Sequence, residues 1–397
     1  MKKSLLFIAG LSVSMAFGQK ITNATDSKYT FTKVSHLDAT PVENQGYTGT
    51  CWSFSALSFF ESELIRMGVK QPDLLSEMYI VRKAYEAKAD RFIRMDGKIN
   101  FSEGGAFHDI PYIIRRNGIV PKDVYTGLAN GKTSFNHEEL FNVLNSFMQT
   151  ILGEVQKGKG IGTEWKKAFS SILDAYLGPD VTEFTVKGKK YTPQTYAASL
   201  GFNMDNYVSI TSFTNDPFYT SCEIAIPDNW AWGDSYNVPL EDMVSIAETA
   251  LNNGYTIAWG ADVSEKGFNF RQAIAIVPED PSTIETKGRD NKSFNDAGAE
   301  RVSNAFLEPM KEVTVTQEMR QKGYDEKVTT DDHGMHIVGM YKDQNGTRFF
   351  LVKNSWGTDN LPQGYLYVSE HYFRLKTINI YLHKDALSKE ERSKLKI

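Results

Sequence analysis

The stretch NQGYTGTCWSFS, residues 44–55, contains the features on which the fold and chemistry of this chain depend. Trp52 follows Cys51 directly, and Gln45 lies six residues before the cysteine. Beyond Cys51 the apolar residues recur at helical spacing until Gly68, which is typical of a helix end. The pattern predicts a helix whose first turn carries Cys51, where the positive end of the helix dipole favours a thiolate.

Glycines precede this predicted helix. Gly49 lies two residues before Cys51 and lets the backbone approach a substrate closely. The backbone N–H of Cys51 and the side-chain amide of Gln45 can then face the same substrate oxygen. Two converging donors of this kind form an oxyanion hole.

Two short motifs lie far downstream, DHGM at residues 332–335 and KNSWG at residues 353–357. They contain His333 and Asn354. Strand-like runs flank the turn-forming stretch KDQNG between the motifs, which predicts a β-hairpin.

The length of the hairpin loop decides whether the two motifs meet. A five-residue loop over residues 342–346 would place Asn354 opposite Gly334, next to His333. A two-residue Asn-Gly turn would place Asn354 opposite Ile337, farther along the strand. We favour the longer loop, which brings the asparagine and the histidine together.

Two histidines, His333 and His336, are candidates for the residue that faces Cys51. Positions three apart on a strand point to opposite sides, so only one of them can do so. His333 is favoured because it lies between an aspartate and a small glycine, whereas His336 begins an apolar run. The same geometry argues against a metal site built from both histidines, and we expect no metal or organic cofactor.

In chain order, Gln45, Cys51, His333 and Asn354 supply the groups that a thiol peptidase requires. The cysteine acts as the nucleophile, the histidine accepts and returns the proton, and the asparagine orients the imidazole. With Gln45 in the oxyanion hole, these residues predict peptide hydrolysis through a thioester. Trp356 would cover the His–Asn hydrogen bond and exclude water from it.

A pair of adjacent glycines, Gly104 and Gly105, allows two interpretations. They could form a simple turn, or they could present backbone groups to an extended peptide because they carry no Cβ. On the second interpretation the predicted substrate-binding set is Gly49, Trp52, Gly104, Gly105 and Trp356.

The N-terminal residues have the composition of a secretory signal. Lys2 and Lys3 precede an apolar run over residues 5–17, and small residues stand where a signal peptidase cleaves. The run is too short for a stable membrane span, and no other window approaches ~18 apolar residues. We expect export to the periplasm or the extracellular space, without membrane insertion.

The net charge and the cysteine content indicate which partners the protein is expected to bind and how it is stabilised. The formal charge of -5 becomes -7 when Lys2 and Lys3 are removed with the signal. A mildly acidic chain without basic clusters is not expected to bind nucleic acid. Of the two cysteines, Cys222 is expected to be a buried, unbridged thiol, so that the core rather than disulfides stabilises the protein.

These motifs resemble those of papain-like cysteine peptidases. Within that family the chain is similar to the bleomycin hydrolase and aminopeptidase C branch, because a long segment separates Cys51 from His333. Further similar stretches are NGIVP at residues 117–121, YTPQ at residues 191–194 and TNDP at residues 214–217.

The resemblance implies an α+β fold with a helical half and a β-rich half, and a peptide or protein substrate bound between them. We expect a signal peptide followed by one peptidase domain. The expected bounds are 1–18 for the signal and 19–397 for the domain, with the helical half from about 41, an insertion at about 120–320, the β-rich half at about 321–383 and a charged tail at 384–397.

The resemblance also implies an aminopeptidase. In the branch, the chain end reaches into the cleft, where its carboxylate meets the substrate's amino group, and the subunits form a hexamer. Here the charged tail over residues 387–397 is expected to stop short of that arm. Aminopeptidase and endopeptidase action therefore both remain open, as does homo-oligomer formation. The rival interpretations are a thiol acyltransferase and a non-catalytic peptide-binding protein.

Overall fold

The computed structural model of the chain describes residues 20–289 and 299–397. The predicted signal peptide, residues 1–18, lies outside these ranges. Within them the chain combines ten α-helices with a large mixed β-sheet, which confirms the predicted α+β class. No helix in the described ranges is long and apolar enough to span a membrane.

The elements are numbered in chain order. The helices are α1 Cys51–Arg66, α2 Glu77–Arg94, α3 Asp109–Asn117, α4 Glu138–Gln156, α5 Glu164–Leu177, α6 Pro193–Ser199, α7 Leu240–Asn252, α8 Gln317–Asp325, α9 Glu370–Lys376 and α10 Lys389–Leu395. The strands are β1 Thr32–His36, β2 Phe184–Val186, β3 Lys189–Tyr191, β4 Tyr207–Thr211, β5 Thr220–Glu223, β6 Asp234–Asn237, β7 Ile257–Ala261, β8 Phe268–Asn269, β9 Ile274–Ala275, β10 Glu285–Arg289, β11 Ala299–Val302, β12 His333–Lys342, β13 Arg348–Lys353, β14 Tyr365–Ser369 and β15 Thr377–His383. Short 3₁₀ helices occur at Met204–Asn206, Pro281–Thr283, Asn304–Phe306 and Lys384–Ala386.

Eleven strands form the main sheet, and β12 lies near its middle. The spatial order is β5-β6-β4-β15-β7-β12-β13-β14-β9-β8, with β1 paired to the second half of β12. Neighbouring strands run antiparallel except for the parallel pairs β4–β6 and β9–β14. The first half of β12, from His333 to Ile337, pairs with β7. Because β12 has partners on both edges, it is buried along almost its whole length.

Two apolar cores lie on the two faces of this sheet. The first is formed largely by α1 to α5 and contains Leu57, Tyr79 and Leu144. The second lies between the sheet and helices α7, α9 and α10 and contains Met243 and Phe373. Both α1 and α7 contact β12 and β7. Met335 and Ile337 of β12 belong to the second core, whereas His336, which lies between them, contacts α1.

The segment expected to be an insertion, residues 120–320, contributes to both layers. Leu144 of α4 and Leu173 of α5 are buried in the helical core. Strands β4 to β7 belong to the main sheet, and β7 pairs directly with β12. This segment therefore helps to position the strand that begins at His333.

The charged tail, residues 384–397, packs against α7. Ser388 begins α10 with a capping box that involves Glu391. Leu395 is buried in the second core, and Lys394 Nζ lies 3.9 Å from the carboxylate of Asp242 on α7. The tail is thereby held on the α7 face of the sheet.

The hairpin between β12 and β13 has the expected loop length in a shifted position. The loop comprises residues 343–347, one residue later than expected. The Asp343 carboxylate accepts the backbone N–H groups of Asn345 and Thr347 at 2.9 and 2.8 Å. These two bonds stabilise a wide loop, and the tight Asn-Gly turn does not form.

A β-bulge between Ile337 and Gly339 then changes the pairing by one residue. The last pair before the active-site end joins His336 to Lys353. Asn354 follows at the level of Met335, so the predicted alignment with Gly334 was wrong by one residue. The side chains of the asparagine and the histidine nevertheless meet.

Candidate active site

Helix α1 begins at Cys51, as the sequence predicted. The Cys51 side chain is 9% exposed, and its backbone carbonyl accepts a 2.7 Å hydrogen bond from Ser55 Oγ. No acidic residue lies in the first turn of the helix. The helix itself therefore places no negative charge at the positive end of its dipole, and that end favours a thiolate at Cys51.

Gln45 is buried and held from two sides. Its Oε1 accepts a 2.6 Å hydrogen bond from Ser355 Oγ, and its Nε2 donates to the Thr48 carbonyl at 2.8 Å. The Thr48 hydroxyl in turn donates to the Gln45 carbonyl at 2.9 Å. The residue after Asn354 thus fixes the side chain predicted to bind the oxyanion.

His333 and Asn354 are joined directly. His333 Nε2 lies 2.7 Å from Asn354 Oδ1, which also accepts the Ser355 N–H at 2.8 Å. The second bond identifies this atom as the amide oxygen, because only an oxygen can accept it. An amide oxygen cannot donate, so His333 Nε2 carries the hydrogen. Asn354 therefore fixes the tautomer and the orientation of the imidazole.

Trp356 packs against this hydrogen bond. Its ring centroid lies 4.7 Å from that of His333, and it is 2% exposed. The rings of Phe268 and Phe270 meet its other edges. This aromatic cover keeps water from the His–Asn contact, while Trp356 is absent from the described lining of the cavity beside Cys51.

His336 is packed on the other face of β12, as predicted. Its Nδ1 lies 2.9 Å from Ser58 Oγ of α1, and the side chain is fully buried. Burial, and then the charge of Lys353, lower the pKa of His336 well below its ordinary value. His336 is therefore a neutral structural histidine.

A cavity of about 370 Å³ lies beside Cys51 and His333. Of the predicted substrate-binding residues, it brings together Gly49, Trp52, Gly104 and Gly105. Gln45 and Asn354 are buried and, like Trp356, are not among its described lining residues. Cys51 and His333 thus share one cavity, whereas Gln45, Asn354 and Trp356 are not among the described residues of its wall.

The glycine pair is required by packing. A Cβ on Gly104 would lie 1.9 Å from Asp228 Oδ2, and a Cβ on Gly105 would lie 2.8 Å from the Trp52 ring. Both glycines line the cavity, so the structure is compatible with the peptide-binding interpretation and adds a packing reason.

Buried ionic groups hold the glycine segment from behind. Lys88, which is 1% exposed, donates through Nζ to the carbonyl of Ser102 at 2.9 Å and also to that of Gly104. Asp109, fully buried, accepts the Ala106 N–H at 3.0 Å. Burial raises the pKa of Asp109 to about 7. Sequence patterns gave no sign that these distant residues support the cavity wall.

Four carboxylic acids that the sequence interpretation did not include line the cavity: Glu103, Asp228, Asp331 and Asp332. Burial, and then the nearby Asp262, raise the pKa of Asp332 to about 8. Burial also raises the pKa of Asp331, with Asp228 and Asp332 adding to the effect. The adjacent aspartates before His333 were visible in the sequence, whereas Asp228 joins them only through the fold.

The second cysteine, Cys222, is less buried than the sequence predicted. Cys51 and Cys222 are both free thiols, as expected. Cys222 lies on β5 and is only partly buried, because this short strand is at the edge of the sheet. Burial raises the pKa of Cys222 to about 11, so its thiol is not activated.

Comparison with known proteins places these features in a family. The Peptidase C1-like family model matches residues 74–276 and 304–397, which include His333 and Asn354, while Cys51 precedes the matched residues. Aminopeptidase C of Lactococcus lactis subsp. cremoris is 26% identical over 397 residues, covering 89% of this chain and 84% of the relative. Aminopeptidase C of Lactococcus lactis subsp. lactis is 23% identical, covering 89% and 83%.

A solved structure shows the same fold. The crystal structure of PepW from Lactobacillus rhamnosis HN001 superposes with a TM-score of 0.68 at 19% identity, covering 92% of this chain and 84% of that one. The fold, the family match and the relatives confirm the resemblance drawn from the motifs. The chain belongs to the Peptidase C1-like family and is a papain-like cysteine peptidase of the bleomycin hydrolase and aminopeptidase C branch.

Proposed function

We propose that this protein is an exported, aminopeptidase C-like enzyme that hydrolyses peptide bonds through Cys51, His333 and Asn354. The observation that carries the proposal is the 2.7 Å contact between His333 Nε2 and Asn354 Oδ1, in a site whose cavity also contains Cys51. The Gln45 side chain, fixed by Ser355 and Thr48, completes the set.

The first half of the reaction forms an acyl-enzyme. The Cys51 thiolate attacks the peptide carbonyl carbon, and the carbonyl electron pair moves to the oxygen. The Gln45 amide and the Cys51 N–H bind this oxyanion. When the intermediate collapses, the C–N bond breaks, and the leaving amine takes a proton from His333. A thioester with the acyl part of the substrate remains on Cys51.

The second half restores the enzyme. His333 accepts a proton from water as the water oxygen attacks the thioester carbonyl, and a second oxyanion forms in the same position. Collapse of this intermediate breaks the C–S bond and releases the carboxylic acid product. Asn354 holds Nε2–H throughout, so Nδ1 is the nitrogen that exchanges protons.

The preferred activity is removal of N-terminal residues, because the relatives that cover most of this chain are named aminopeptidases. The alternative is an endopeptidase with an open cleft. It is favoured by one observation: among the described residues that line the cavity, none belongs to the tail at 384–397.

The deciding experiment uses one fluorogenic peptide with a free amino terminus and the same peptide N-acetylated. Wild type, Cys51→Ala and the matched control Cys222→Ala are compared. Cleavage of the free form alone supports an aminopeptidase, and cleavage of both forms supports an endopeptidase. If wild type is no more active than Cys51→Ala on either peptide, the proposal is wrong.

Two rival chemistries have their own tests. An acyltransferase would pass the acyl group to an added amine faster than to water, so product analysis with a competing amine separates it from a hydrolase. A non-catalytic peptide-binding protein would leave Cys51 inert to iodoacetamide at neutral pH, whereas an activated thiolate reacts readily.

Export and assembly are also proposals. We propose that residues 1–18 direct export to the periplasm or the extracellular space, with peptides or proteins as the substrates there. Mass spectrometry of the exported protein should show a chain that lacks these residues, and a full-length cytosolic chain would contradict export. Light scattering of the mature protein tests whether it forms a homo-oligomer, which the family resemblance leaves open.

A further inference from the structure

One end of the active-site cavity is lined by three aspartate carboxyl groups. Asp228, Asp331 and Asp332 all line it together with Cys51 and His333. Among the described residues that line this cavity there is no lysine or arginine. A substrate that reaches Cys51 must therefore lie in a strongly acidic environment.

The three aspartates differ in how many hydrogen bonds and ion pairs they form within the protein. Asp228 accepts hydrogen bonds from Asn100 at 3.1 Å and Ser102 at 3.3 Å, and it interacts with the charge of Lys88. Asp228 is therefore largely satisfied within the protein.

Asp332 is also used within the protein. Its Oδ1 accepts the backbone N–H of Val263 at 2.8 Å, and Oδ2 lies 3.5 Å from the Thr330 hydroxyl. These bonds tie the strand that begins at His333 to the segment after β7.

Asp331 differs from both. Within the described residues its carboxylate has no hydrogen bond or ion pair, and the charged groups that act on it are Asp228 and Asp332. Both of these neighbours raise the pKa of Asp331, in addition to burial. The ionised form of a carboxyl group beside like charges, without a donor, is unfavourable, so the group takes up either a proton or a cation. Such perturbed groups in a cavity are typical of functional sites.

We propose that Asp331 binds a cationic nitrogen of the substrate in the cavity beside Cys51. This inference rests on the proposed peptidase function and specifies its substrate class. The cation is either the substrate's N-terminal ammonium or the side chain of a lysine or arginine residue. Each presents N–H donors and a positive charge, which form charge-assisted hydrogen bonds with a carboxylate. Asp228 and Asp332 add to the attraction.

Binding is measured on Cys51→Ala, so that the result does not depend on turnover. The four probes are argininamide, N-acetylargininamide, citrullinamide and N-acetylcitrullinamide, which separate the ammonium from the guanidinium. Titration calorimetry compares Cys51→Ala alone with the same protein carrying Asp331→Asn. Asp325→Asn, which removes an exposed charge upstream, is the matched control.

Asp331→Asn should weaken the binding of cationic probes by about tenfold and leave N-acetylcitrullinamide unchanged. Weakening of argininamide and citrullinamide identifies the ammonium as the ligand. Weakening of argininamide and N-acetylargininamide identifies the guanidinium. The Tm of Asp331→Asn should equal or exceed that of its parent, because asparagine replaces a carboxyl group whose ionised form is disfavoured beside two other acids.

The inference is overturned if Asp331→Asn binds all four probes as its parent does, if it weakens all four equally, or if Cys51→Ala binds none of them. These binding outcomes do not test the proposed peptidase activity. That activity is tested separately, and it is disproved if wild type shows no Cys51-dependent cleavage.

Discussion

The two histidines of β12 show how neighbours determine what one residue type does. His333 and His336 lie three residues apart on one strand, and both are buried. His333 meets an amide oxygen and an indole ring, and Asp332 is next to it. His336 meets a hydroxyl and lies near the positive charge of Lys353. The first setting fixes the orientation of the ring, whereas in the second setting burial and the charge of Lys353 keep the ring neutral.

The most direct test of this difference between the two histidines is to replace each of them in turn. His333→Ala should lower kcat by at least about 1,000-fold, because the proton acceptor and donor is lost. His336→Ala should lower kcat/KM by less than about tenfold. It should cost about 1 to 3 kcal/mol of unfolding free energy, because Ser58 and a packed ring lose their partner. Steady-state kinetics and urea denaturation measure both effects, and equal losses of kcat would disprove the assignment.

The orienting residue should have the next largest effect. Asn354→Ala removes the acceptor that fixes Nε2–H, and we expect kcat to fall by about 100-fold with KM little changed. Asn345→Ala, in the exposed hairpin loop, is the control and should match wild type. Stopped-flow measurement of acylation tests this, and a change confined to KM would argue against an orienting role.

A third prediction concerns Lys353, whose charge adds to burial in keeping His336 neutral. Burial lowers the pKa of Lys353 to about 8, below the value of about 10.4 in an unfolded chain. Between these values the folded protein holds fewer protons on Lys353 than the unfolded chain does. Its unfolding free energy therefore rises with pH over this window, by up to about 3 kcal/mol from this lysine.

Lys353→Met should remove that rise. Chemical denaturation of both proteins at pH 7.5, 9 and 10 isolates the contribution, because the other titrating groups are shared. The substitution should also raise the pKa of His336, which NMR titration of the ring would follow. An unchanged difference in stability across the pH range would show that Lys353 does not titrate there.

The smallest expected effect belongs to the aromatic cover. Trp356→Phe leaves an aromatic ring but opens space beside the His–Asn hydrogen bond, so kcat should fall by about three- to tenfold. Trp232→Phe, at a tryptophan that is 45% exposed, is the control and should be silent. Proteins with matched Tm values are compared, and equal activities would show that the indole contributes packing alone.

Local patterns predicted those parts of the molecule that depend on a single element. The start of α1 at Cys51 followed from helical spacing. Strand alternation implied that only one of the two histidines could face Cys51, and the residues beside His333 favoured that one. The hairpin length was predicted correctly, whereas its position was one residue off because the side chain of Asp343 stabilises the loop.

The cavity wall is formed by contacts between residues that are far apart in the sequence, and local sequence patterns do not predict such contacts. Asp228 lies between β5 and β6, yet its carboxylate meets Gly104 because these segments are brought together by the sheet and helical halves. In the sequence, Lys88 looks like an ordinary charged residue on the polar face of an amphipathic helix. It points inward, where its Nζ donates to the carbonyls of Ser102 and Gly104. Such pairings arise from tertiary packing and have no periodic signature.

The bulge between Ile337 and Gly339 has a consequence for how this hairpin can diversify. The pairs between the bulge and Asn354 set the position of the asparagine, while those beyond it set the position of the loop. An added or lost residue at the loop end can be absorbed at the bulge, because the extra residue there is already unpaired. A change in the length of the 343–347 loop therefore does not have to alter the distance between His333 and Asn354.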